Sequence, residues 1–266
     1  MVKIARICIY PFKSLDGMGV EQAELLTKGA IQHDRLFALK DHNGNFLNAK
    51  RSELFHLLEA RYDLDHHHIE IKKRDQEQFE RFDLKDDIPE LEKWFSEYFK
   101  QELTLSRNSE EGFPDDTDSP GPTIISKATL ETVAKWFEIP DLDEVRKRFR
   151  ANIEIDGCEP FWEDQLYSEL DHVVRFQMGE IEWLGVNPCA RCVVPSRSSI
   201  TGERMSAFQK RFANYRQENI TENVSRSRWN HFYRLAVNTK PVHFFDGGTI
   251  KVGDELKILG PESETN

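Results

Sequence analysis

Many short β-prone runs, few helical stretches and no regular alternation of strand with helix predict an α+β chain that is mostly β and barrel-like, not a doubly wound sheet. No segment repeats at a fixed period, which removes solenoids and propellers. Lys3 to Tyr10 reads as the first strand, followed by Val20 to Leu26 and Leu36 to Leu39. Asn43-Gly44-Asn45 then turns the chain into Phe46-Leu47, and Ile69-Glu70-Ile71 reads as a further short strand. Arg51 to Leu58 and Ile88 to Phe99 have helical spacing. The second places Leu91, Trp94, Phe95, Tyr98 and Phe99 on one face, expected to be core. Three consecutive residues cannot point the same way on a strand, so His66-His67-His68 is expected to be a solvated turn, not a metal site.

Residues 106–121 are acidic and rich in Pro, Gly and Ser, which predicts a flexible loop and a rim for any active site. Ser126 is placed to cap a helix over Ala128 to Phe137, whose Leu130, Val133, Ala134 and Phe137 recur at helical spacing. A second helix, Leu142 to Phe149, follows Pro140. Strands then resume at Asn152 to Ile155, Val173 to Met178, Ile181 to Val186, Tyr233 to Val237 and Thr249 to Leu259, the last around a turn at Lys251 to Asp254. A helix near Ala207 to Arg216 interrupts them.

The chain has 266 residues, 36 basic against 47 acidic, for a net charge of −11. That balance disfavours nucleic acid as a partner and requires any anion site to be built locally. Mean hydropathy is −0.63 and no apolar run approaches a membrane span, so no membrane association is expected. Four scattered cysteines do not make a secreted disulfide framework, and the first residues lack a signal-peptide core. A reducing, cytoplasmic setting is the expectation.

Two of those cysteines form the tetrapeptide Cys189-Ala190-Arg191-Cys192. A thiolate prefers a thiophilic metal, and a neighbouring guanidinium favours the charged thiol. The same spacing also occurs in half a zinc site, a redox disulfide or two buried thiols. Zinc would need two further ligands, which Cys8, Cys158 and the histidines do not offer at matching spacing, and a thioredoxin-like pair would need a βαβ context. Four other clusters combine cations or small polar residues with turns: Tyr10-Pro11-Phe12-Lys13-Ser14, His33-Asp34-Arg35, Asn48-Ala49-Lys50-Arg51 and Arg148-Phe149-Arg150-Ala151-Asn152. Each taken alone is ordinary surface charge.

In order, however, YPFKS, GAIQHDR, GNFLNAKR, FRANIEIDG, NPCARCVVPSRSSITGE and GGTIKVGDELKIL resemble the MOSC family, the molybdenum cofactor sulfurase C-terminal domain proteins, with the N-terminal β-barrel domain that usually precedes it. The resemblance runs from about Ile4 to Leu259. It implies a MOSC β-barrel over 122–262, a smaller β-rich N-terminal domain over 1–105 and the acidic loop 106–121 between them.

The family includes the mitochondrial amidoxime-reducing components. By that resemblance Cys192 is the metal ligand and catalytic centre of a molybdenum cofactor (Mo-molybdopterin). Lys13, Ser14, Arg35, Lys50, Arg150 and Asn152 would hold the pterin and its phosphate, with Arg191 beside the ligand. The implied activity is two-electron reduction of an N-oxygenated small molecule. Electrons would come from a separate donor protein, a ferredoxin or a b-type cytochrome with its reductase, to which Asp115, Asp116 and Asp118 could present charge, although a solvated loop is the plainer reading of those residues. The alternative is a non-redox carrier of the cofactor or of sulfur.

Pyridoxal phosphate is not expected, because it belongs to the N-terminal domain of the longer sulfurases. No C-x4-C-x2-C run follows to make a fused ferredoxin. Two departures stand out. Ser198 or Ser199 occupies the place of an expected Asp after the ligand, and Lys50 replaces an Arg, keeping the charge but losing the bidentate fork. Cys189 is expected to be buried and to shape the loop, Cys158 to be inert, and Trp162-Glu163-Asp164 to pack or to shape the pocket.

Overall fold

The computed structural model describes residues 1–221, 224–244 and 247–264. Strands make up 35% and helices 21%, as the mostly β reading requires. The N-terminal strands are β1 (Lys3–Ile9), β2 (Met18–Val20), β3 (Gln22–Glu24), β4 (Phe37–Asp41) and β5 (Phe46–Leu47). Next come β6 (Leu58–Asp63), β7 (His68–Lys73), β8 (Glu80–Asp83), helix α1 (Ile88–Phe99) and β9 (Leu103–Arg107). Then follow β10 (Ile124–Ser126), α2 (Lys127–Trp136), α3 (Leu142–Phe149), β11 (Ile153–Asp156), β12 (His172–Met178) and β13 (Ile181–Ala190). Helix α4 (Phe208–Glu218), β14 (Arg234–Pro241), β15 (Thr249–Lys251) and β16 (Leu256–Ser263) complete the order.

One eight-stranded sheet carries the molecule, in the order β16-β12-β13-β14-β10-β11-β1-β2. Its strands come from both ends of the chain: β1 pairs antiparallel with β11, Ile7 facing Ile153, and β16 pairs antiparallel with β12, while β15 and β3 form a separate two-stranded sheet. The first residues alternate as a half-buried strand should, with Ile4, Ile7 and Ile9 inward on either side of a bulge. Two three-stranded sheets, β5-β4-β9 and β6-β7-β8, pack with α1 into a separate apolar cluster around Phe12, Phe55, Leu91 and Phe95.

Local chemistry sets the helices. Ser126 Oγ accepts from Thr129 N at 3.0 Å and starts α2. Asp141 caps α3, and Arg150 ends it in the left-handed region, its N–H bonding Arg146 O at 2.8 Å. Helices α2, α3 and α4 share a third cluster built on Phe137, Phe149, Phe208 and Phe212.

Some expectations change. Residues Glu53–Leu57 form one 3-10 turn, not an α-helix, because the chain passes at once into β6. On α1 only Leu91, Phe95 and Phe99 are fully buried; Trp94 and Tyr98 stack on each other at the edge, 5.7 Å apart. Their polar ends explain it. Trp94 Nε1 donates to Glu80 and Tyr98 O–H to the Leu54 carbonyl. Strand β13 runs four residues past Val186, through Pro188, because the ladder to β14 is bulged there. Strands β6, β8, β9 and β10 lie where no strand was expected. His66 turns out to Asp63, whereas His68 belongs to β7.

Candidate functional site

Pro188 and Ala190 of β13 face Val237 and Arg234 of β14, so two steps on one strand meet three on the other. The extra residue is absorbed near Ala236, held at φ 68°. This irregularity ends the ladder at the cysteine motif. Cys189 packs on the helical cluster and Cys192 on the N-terminal one, so the tetrapeptide bridges two cores. Between them lies a cavity of about 790 Å³, within the usual range for a small-molecule site.

Among the described residues its wall carries ten Lys or Arg and five Asp or Glu. In a chain of net charge −11 this is a local reversal of sign. All eight residues singled out from the sequence, Lys13, Ser14, Arg35, Lys50, Arg150, Asn152, Arg191 and Cys192, line it. Three of them, Ser14, Arg35 and Arg150, hold positive φ of 79°, 51° and 53°. Non-glycine residues take that region at a cost, and here it swings basic and hydroxyl side chains off element ends into one space.

The cations are held individually. Tyr10 is buried, and both Arg150 and Arg35 lie over its ring, 4.1 and 5.4 Å from the centroid. Arg150 Nη1 donates to Leu15 O at 2.6 Å. Arg35 pairs with Asp34, whose other oxygen accepts from Tyr10 N at 2.8 Å. Lys13 Nζ donates to Asp115 at 2.7 Å and to Phe113 O at 2.8 Å, and Lys50 Nζ lies 3.3 Å from the same carboxylate. Burial pulls Lys13 below its ordinary pKa, while Asp115, its side chain 60% exposed, is held well below the carboxylate range by Lys13, Lys50 and Arg35.

Arg191 occupies the centre of the motif. Its Nη1 lies 3.1 Å from Cys189 Sγ, its Nη2 donates to Phe149 O, and its guanidinium sits 5.5 Å over the Phe149 ring. Two sequence-named residues are occupied structurally. Asn152, 2% exposed, receives Thr123 N and Oγ1 and donates to Cys8 O, while Ser14 Oγ accepts from Ala49 N at 3.0 Å. Both hold the wall in shape.

Other residues reach the cavity unannounced. Arg148 is buried on Glu144, and its Nη1 finds no protein partner. The signal was there, two residues before Arg150 in the same cluster, but a helix face had to be known to aim it inward. Glu144 also takes both N–H and hydroxyl of Ser199, so a carboxylate from α3 stands at the turn where the sequence has Ser in place of Asp. His56, with its Nε2 unpartnered, is pushed down to about 4 by burial and by Arg197, Arg150 and Arg74. Arg197, 2% exposed, bonds Ala49 O at 2.8 Å and ties the segment after Cys192 to the Lys50 turn.

Two expectations are corrected here. Cys189 is half-buried on the cavity wall, not a fully buried shaping residue, because the bulge turns it outward toward Arg191. Asp115 and Asp116 do not present free charge: Asp115 pairs with the lysines and Asp116 accepts from Asn238 Nδ2 at 3.0 Å. Cys158 is pushed up to about 11 by burial, as an inert thiol would be. Glu163 and Asp164 are buried outside the cavity wall, where Asp164 pairs with Arg216.

Residues 1–102 match the MOSC N-terminal beta barrel domain and residues 122–257 the MOSC domain. The chain belongs to the MOSC family. A molybdenum cofactor sulfurase of Drosophila mojavensis is 27% identical over 234 residues, 76% of this chain and 29% of that protein. The chain therefore spans less than a third of that relative's length. The crystal structure of the YUAD protein from Bacillus subtilis aligns over 100% of this chain and 98% of its own, at 11% identity and a TM-score of 0.38, too low to bear on the fold or the site. Among the described residues no cluster of three or more His, Cys, Asp or Glu could bind a metal, and no helix is long and apolar enough to cross a membrane.

Proposed function

We propose that this cavity binds a molybdenum cofactor with Cys192 as the protein's ligand to the metal, and that the protein reduces N-oxygenated small molecules with electrons from a separate donor protein. The observation that carries the reading is a cationic cavity in an acidic chain that ends on a thiol pair. The donor set fits such a group. Lys13 and Lys50 converge on one carboxylate, with Arg35 adding its field, an arrangement that suits a phosphate. Arg150 and Arg35, fixed on Tyr10, present further charge along the wall, and the buried Arg148 adds a guanidinium with an unused nitrogen.

When bound, the metal centre supplies the two-electron chemistry. The chain's part is to anchor and orient. Cys192, packed on the N-terminal cluster, would ligate the metal, Arg191 keeps positive charge beside both sulfurs, and Lys13 and Lys50 would hold the cofactor's phosphate. An amidoxime reduced in this way takes two electrons from the donor and two protons, and leaves as an amidine and water. The presence of a sulfurase among its relatives supports a role tied to this cofactor.

Molybdenum analysis, with zinc as control, on protein from a host that makes the cofactor tests the reading. Near-stoichiometric metal in the wild type, lost in Cys192→Ser, is expected, together with amidoxime turnover under dithionite reduction. Bound metal without turnover would indicate the carrier; absence of metal would refute the reading.

A further inference from the structure

The segment from 113 to 118 lines the cavity through Pro114, Asp115, Asp116 and Thr117, as a strap fastened at both ends. On one side Phe113 N donates to Arg35 O at 2.9 Å, and Gly112, at φ 67°, lies so close to the chain that a Cβ there would stand 2.4 Å from Asp34 O. On the other, Asn238 Nδ2 donates to Asp116, and Gly121 N bonds Thr239 O at 3.0 Å. Asp115 sits between these anchors. Its Oδ1 meets Lys13 at 2.7 Å and Lys50 at 3.3 Å, with Arg35 adding its field. Lys13 is only 12% exposed, so without that carboxylate a nearly buried ammonium would lack a counter-ion.

We propose that Asp115 is an internal placeholder for a phosphate group: its carboxylate occupies the anion subsite and must leave, with the strap between its two anchors, before a phosphate-bearing ligand can seat. The inference rests on the reading above that this subsite takes the cofactor's phosphate. The physics is competition. A carboxylate tethered on both sides competes at high effective concentration, so free monoanions are excluded. A phosphate dianion, with more charge and more acceptor oxygens, outcompetes it. Asp115 thereby selects for phosphate over carboxylate or halide and couples loading to movement of the strap.

Calorimetric titration of the cofactor-free chain with pyrophosphate tests this. Asp115→Asn should bind about tenfold more tightly than the wild type, as expected for removal of one competing ion pair. Asp115→Ala should shift the same way, and Asp118→Asn, on the exposed part of the strap, should not. The variants should also lose discrimination against acetate. Equal affinity in wild type and Asp115→Asn would overturn the proposal, as would an equal gain in Asp118→Asn. If pyrophosphate binds none of them while the wild type still carries stoichiometric molybdenum, the placeholder fails and the cofactor reading stands. If Asp115→Asn gains tenfold while molybdenum never binds, the cofactor reading fails instead.

Discussion

Glu163 is the group whose protonation should dominate the pH dependence of stability near neutrality. It is 1% exposed in a 3-10 turn after Phe161, with one oxygen receiving Thr129 Oγ1 at 3.0 Å and the other without a protein partner. Burial first, and the adjacent Asp164 carboxylate second, push it up from 4.5 to about 7. The unfolded chain ionises it near 4.5 and the folded chain only near 7, so between those values the native state binds the extra proton.

Its contribution is complete below pH 4.5 and is lost as pH rises through 7, a change of about 3 kcal/mol. Glu163→Gln keeps the acceptor for Thr129 and removes the titration. Urea unfolding at pH 5, 6, 7 and 8, with unchanged m values, should show wild type losing about 2.5 kcal/mol relative to the variant across that range. Other groups cancel in the difference. A gap that stays constant from pH 5 to 8 would refute the argument.

His56 should act in the opposite sense on the acid side. The unfolded imidazole takes a proton near 6.5 that the folded chain refuses until about 4, so stability should fall as pH drops through that window, by about 2 kcal/mol once solvent screening of the half-buried ring is allowed for; His56→Gln should flatten that part of the unfolding profile, and an unaltered slope would show that another group is responsible. Gly185→Ala would place a Cβ 1.6 Å from Leu166 O, a backbone atom that cannot step aside. Thermal melts should show a loss above about 4 kcal/mol or no folded protein, and a variant with wild-type stability would mean that β13 does not lie on that turn as described.

Local chemistry made much of the molecule legible beforehand. The Ser126 cap, the span of α3 and the buried Leu91, Phe95 and Phe99 stripe follow from capping and helical period alone, which depend on neighbours within one or two turns. The small strands β6, β8, β9 and β10 were not, because three to six residues carry too little periodic signal to separate a strand from a loop. Pro188 concealed the end of β13 for a related reason: whether a proline ends a strand or sits at a bulge depends on the partner strand, which here is almost fifty residues away.

The site divides in the same way. Sequence by itself determined which residue types were present, a thiol pair with an arginine and four cationic turns in the order of a family, because chemical identity and order along the chain are local properties. The tertiary structure alone decided that these turns face one another across one cavity, and that Asn152 and Ser14 brace its wall. It also decided that Arg148, His56 and Asp115 join them. Those assignments depend on positive-φ corners, a bulge and pairings between residues more than a hundred positions apart, such as Lys13 with Asp115. An ion pair of that separation is a statement about distance in space, and the net charge of a chain does not contain it.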